Sequence, residues 1–149
     1  MKYYKLIVFL ILAVATIVAN YFNITPCITG STPSIIGFIS SIVFIGAWIG
    51  LGIISTYKNQ KWFIVFSVLY WIISLGIYIQ CIYWDRGNSI ALSTSPLNVI
   101  PIYGMTYLNL MDSVILASRI MIIIPVVNII AYLIIKYRDN RINKSISNI

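Results

Sequence analysis

The chain has 149 residues, of which 60% are hydrophobic and 9% charged, with a net charge of +7 at pH 7 and no histidine. Its mean hydropathy of +0.96 excludes an ordinary soluble domain, which would expose too much apolar surface to stay dispersed. No histidine and no glutamate occur, so histidine-ligated haem or zinc, histidine general catalysis and paired-glutamate sites are excluded as well.

A bilayer core of roughly 30 Å needs about 20 apolar residues per helix. Four runs meet this length, near residues 4–22, 34–56, 62–84 and 110–136. The fold class expected is all-α, a polytopic membrane protein with four transmembrane helices in one integral domain, followed by a basic tail over residues 137–149. Lys2 and Lys5 precede the first run, and it admits a second reading as a signal peptide cleaved near Ala15 or Ala19. N-terminal sequencing of the membrane-purified protein separates the two.

The second run opens after Ser31-Thr32-Pro33, a hydroxyl cap followed by proline in the first turn. It is rich in small residues, and Gly46 and Gly50 form a small-xxx-small pair suited to close helix packing. Packing within the molecule is the expected use of that pair, with homo-oligomerisation as the alternative. Trp48, Tyr70 and Trp71 fall near mid-membrane on the second and third runs. Such rings need partners for their N–H and O–H groups, and Ser67, Ser74 and the serines of the second run are available. Asp85-Arg86-Gly87-Asn88 then supplies turn chemistry.

Residues 88–108 are longer than threading requires, and Pro96 and Pro101 argue against one continuous helix. This connection either lies on the surface or folds against the bundle, and it is the expected place for an external ligand or partner. In the fourth run, Asp112 and Arg119 are two turns apart and share one face as a candidate intramembrane polar pair. With Asn109 as N-cap, Asp112 suits the helix dipole and Arg119 snorkels outward. Pro125 and Asn128 lie deeper, and Asn128 is expected to bond across to another helix as a packing residue.

Charge sets the threading. Of 10 basic residues, Lys2, Lys5, Lys58, Lys61, Lys136, Arg138, Arg141 and Lys144 fall on one side of a four-span chain, which makes both termini cytoplasmic under the positive-inside rule. Cys27 and Cys81 then share the external side as a candidate disulfide. The basic tail is expected to contact anionic membrane lipid, and needs no nucleic acid to explain it. The richness in Ile, Asn, Tyr and Lys fits an AT-rich genome, and the cell membrane of a bacterium is the expected location.

No P-loop, dinucleotide pattern or C-x-x-C is present. Neither a catalytic, a cofactor-binding nor a metal site is therefore assigned, and no enzyme activity is expected. The function expected is that of a non-catalytic accessory, immunity or regulatory subunit acting through lipid contacts or a membrane-protein partner. The alternative is a small oligomeric transporter or channel using Asp112 and Arg119.

Overall fold

The computed structural model describes residues 2–83, 97–108 and 113–146, with side chains over 3–80, 97–108 and 115–139. Five helical elements and no strand occur among the described residues. They are α1 (Lys2–Thr29), α2 (Ile35–Tyr57), α3 (Lys61–Tyr83), α4 (residues 97–103, continuing into a 3-10 turn over Gly104–Leu108) and α5 (Ser113–Ile146). The helices α1, α2, α3 and α5 are each long and apolar enough to cross a membrane. The chain is a four-span, all-α membrane protein, and large apolar side chains such as Leu10, Ile39, Ile72 and Ile130 face outward on every span.

Element boundaries depart from expectation where a polar residue finds a partner on another helix. α1 continues seven residues past 22 because Asn23 has acceptors waiting on α2. Pro26 is carried inside that extension, and it leaves the Phe22 carbonyl without its usual intrahelical donor. Gly30 then takes a positive φ of 68°, and the Ser31 amide donates to the Pro26 carbonyl at 3.1 Å, the left-handed termination that glycine favours. The cap of α2 is Ser34, whose hydroxyl accepts from the Gly37 amide at 3.1 Å. Ser31 and Thr32 lie too far upstream to serve. The expected basic tail is helical as far as Ile146, so α5 is about 50 Å long at 1.5 Å per residue.

Contacts gather Lys5, Lys58 and Arg138 at one end of the bundle, here termed the basic end. The Tyr4 hydroxyl of α1 meets the Ser55 hydroxyl of α2 at 3.0 Å. Lys58 lies 4.6 Å from the Tyr4 ring centroid, Lys5 lies 5.3 Å from that of Trp62, and Arg138 lies 5.5 Å from that of Tyr57. Three helix ends and the tight α2–α3 turn are thus stitched together by cations over aromatic faces, contacts worth about 0.5–1 kcal/mol each when exposed. Asn59, with φ of 53°, provides the reversal in that turn.

The core runs along the bundle axis from Val8, Leu12, Ala15 and Ala19 on α1 through Phe44 and Trp48 on α2 to Phe63 and Trp71 on α3. Ile120, Met121 and Ile124 close it from α5. Between helices in lipid the hydrophobic effect gives little drive, so close approach and polar contacts decide the arrangement.

Candidate functional site

Two buried asparagines mark where backbones come closest. Asn23 is fully buried, and its carboxamide donates to the Ala19 carbonyl on its own helix at 2.9 Å. It also reaches the Gly37 carbonyl at 3.2 Å and the Ser40 and Ser41 hydroxyls at 3.3 and 3.1 Å. One side chain cannot satisfy four acceptors with two hydrogens at once, so these are shared contacts. Asn128 is equally buried on α5, donating to the Ser67 hydroxyl of α3 at 3.0 Å and towards the Trp48 carbonyl of α2 at 3.5 Å. It rests directly on Gly52, where any Cβ would overlap its carboxamide. Asn128 therefore joins three helices, as a cross-helix packing residue should.

The connection before α5 is part of the core. Pro101, Ile102 and Gly104 are buried, and a Cβ at Gly104 would overlap the Gly37 carbonyl of α2. The Ser41 hydroxyl, which accepts from Asn23, donates onward to the Pro101 carbonyl at 2.5 Å. Proline has no N–H, so Pro101 leaves the Leu97 carbonyl one turn back without an intrahelical donor. The Tyr70 hydroxyl of α3 supplies that bond at 2.5 Å. Stacking of Phe38 on Tyr107 at 5.6 Å completes the seat. Residues 97–108 fold against the bundle, with α4 and its 3-10 turn capping the end of the molecule opposite the basic end.

Beneath this cap lies a ring cluster at mid-span. Trp48 stacks on Tyr70 at 4.6 Å and on Phe66 at 5.9 Å, and meets Trp71 edge-on at 5.3 Å. Among the serines expected to serve these rings, Ser67 bonds Asn128, Ser40 bonds Gly37 and Ser41 bonds Pro101, while the Tyr70 hydroxyl is served by the Leu97 carbonyl instead. The indole nitrogens of Trp48 and Trp71 are buried without a hydrogen-bond partner among the described residues. Ring-on-ring contact, at about 0.5–1.5 kcal/mol per pair beyond area burial, holds the cluster instead.

A cavity of about 180 Å³ opens at the capped end, lined by Cys27, Tyr78, Ile102, Tyr103, Thr106 and Leu116 among others. The Tyr103 phenol is pushed up from its ordinary range by burial and by the neighbouring Cys27, while a bond with Thr106 pulls it down. It therefore stays a neutral donor at physiological pH, directed at the Ser31 carbonyl at 3.3 Å. Cys27 is a free, half-buried thiol. Cys81 lies on the last turn of α3, and its side chain is outside the described residues, so the Cys27 to Cys81 geometry is not described.

The chain matches no family model, no curated protein and no solved structure. Its site is accordingly read from geometry alone.

Asp112 lies outside the described residues, as do Asp85 to Asn88 and Asn109. Arg119 stands on the exposed face of α5, in its second turn. Asn128 is buried in the core against Ser67 and Gly52, whereas Arg119 is exposed.

Gly46 and Gly50 require a correction. A Cβ at either meets nothing within 4 Å, and Gly46 is exposed. The intramolecular close approaches occur at Gly37 and Gly52 of the same helix instead. The reason is rotational: Gly37 meets α1 and the cap, and Gly52 meets α5. That orientation of α2 turns the Gly46 side outward.

Asn23 and Gly104 were missed as junction residues by motif reading. An asparagine near the end of one apolar run, followed by glycine and paired serines early in the next, is the signal that would have found the first. Gly104 has no local signal, because its constraint comes from a carbonyl 67 residues earlier in the chain.

Proposed function

We propose that this chain is a non-catalytic accessory, immunity or regulatory subunit of a bacterial cell membrane, both ends cytoplasmic, acting through a partner protein within the bilayer. The observation that supports this reading is the outward Gly46 to Gly50 stripe on a helix whose other contacts are already committed inside the molecule. In lipid, such a stripe lets a second helix approach backbone to backbone. The buried polar groups speak for a structural interior as well, since Asn23, Ser41, Ser67 and Asn128 bond one another and neighbouring carbonyls across helices.

A photo-crosslinking residue placed at Gly46 in the native membrane tests it. A discrete adduct with a second polypeptide is expected, and Gly46→Leu should abolish co-purification while leaving the melting temperature within about 2 °C, as for a surface substitution. Adducts with lipid alone, or unchanged co-purification of the leucine variant, would overturn the reading. An adduct between two copies of the chain would replace the partner with a homo-oligomer.

A further inference from the structure

At the basic end, α2, the α2–α3 turn and α5 enclose a pocket of about 320 Å³ that includes Thr56, Asn59, Lys61, Tyr132, Lys136 and Asp139 in its lining. Its volume lies at the lower end of the roughly 300–1,000 Å³ typical of small-ligand sites. Two features set it apart from a chance surface dent. The cations come from different helices, Lys61 from the first residue of α3 and Lys136 from α5, and the Lys136 ammonium is placed 5.7 Å from the Tyr132 ring centroid. The pocket also lies where two apolar spans end, Ile35–Tyr57 and Ile115–Asp139, both of which contribute to its lining.

We infer that this pocket binds the headgroup of an anionic phospholipid. A phosphodiester is acceptor-only near neutral pH, and the lining supplies donors: two ammonium groups, the Asn59 carboxamide and the Tyr132 hydroxyl. The positive end of the α3 dipole lies at Lys61 and adds to the field. Asp139 is the one carboxylate in the lining. It is paired with Arg138 at 3.7 Å, and its remaining acceptor capacity suits a hydroxyl on the headgroup, as in phosphatidylglycerol. Free phosphate offers the same anion, but the pocket sits at the ends of two spans long and apolar enough to cross a membrane, the level at which lipid headgroups lie, which makes the lipid the occupant. The site is separate from the Gly46 stripe, so it stands or falls independently of the proposed partner contact.

The test is native mass spectrometry of the full-length protein released from detergent, titrated with dioleoyl phosphatidylglycerol, dioleoyl phosphatidylcholine or inorganic phosphate. Phosphatidylglycerol should be retained in preference to phosphatidylcholine, and phosphate should not compete at equal concentration. Lys61→Gln with Lys136→Gln should weaken retention roughly tenfold or more, since each cation near an anionic headgroup contributes about fivefold. Lys5→Gln with Lys58→Gln removes the same charge outside the lining and should change retention by about twofold or less. Arginine at both positions 61 and 136 should keep it. Equal losses in the two glutamine pairs would overturn the site in favour of diffuse charge, and equal binding of inorganic phosphate would overturn the lipid.

Discussion

The two ends of this bundle are closed by different physics. At the capped end, short side chains and bare backbone meet at close range: Gly104 lies on the Gly37 carbonyl, the Ser41 hydroxyl holds the Pro101 carbonyl and the Asn23 carboxamide holds the first turns of α2. At the basic end, closure is made by long side chains laid over rings, Lys58 on Tyr4, Lys5 on Trp62 and Arg138 on Tyr57. Such contact is short-ranged and unforgiving of a single added methyl group. A cation over a ring tolerates movement and weakens with salt. The capped end should therefore fail through shape and the basic end through charge.

Substitutions can break or sharpen this contrast. Gly104→Val forces a side chain into the Gly37 carbonyl and should cost about 3 kcal/mol, read as loss of folded protein in mixed micelles. Gly46→Val is its matched control and should cost less than about 1 kcal/mol. Equal costs would show that the cap does not constrain α2. Asn128→Ala removes the tie to Ser67 and leaves Gly52 uncovered, for about 1.5 kcal/mol, near the upper limit measured for such bonds in lipid.

Tyr70→Phe deletes only the hydroxyl that serves Leu97, and about 1 kcal/mol is expected. Its sharper signature is local: hydrogen exchange should quicken over residues 97–103 with α3 unchanged. The smallest effect belongs to the basic end. Lys58→Gln should cost about 0.5 kcal/mol in dilute buffer, shrinking towards zero near 1 M salt. Salt-independent loss there would dissolve the distinction between the two ends.

Most of the architecture is legible in hydropathy, because each span declares itself through length alone. Lys5, Lys58, Lys61, Lys136 and Arg138 do come to one end, as a four-span count requires. Helix ends were harder. Asn23 reads locally as a stop, yet its acceptors on α2 carry α1 through Pro26 to Thr29. The glycines of α2 were all visible as small, but which of them face inward depends on how α2 is rotated, and a motif at four-residue spacing does not carry that angle. The pocket at Lys61 and Lys136 joins residues 75 apart, a pairing no local pattern encodes.

The cap also has a consequence for how the molecule is made. Asn23 and Ser41 are 18 residues apart, whereas Ser41 and Pro101 are 60 apart and Tyr103 and Ser31 are 72 apart. As the chain leaves the ribosome, α1 and α2 can dock as a hairpin with the Asn23 amide already donating to α2, long before Pro101 exists. The Leu97 carbonyl and Tyr70, 27 residues apart, meet only afterwards. Assembly is thus a sequence of two closures, an early hairpin and a late lid of proline and glycine. Arrested chains ending near residue 80 should already protect α1 from protease, with chains extended past residue 108 needed to protect the Ser31 turn.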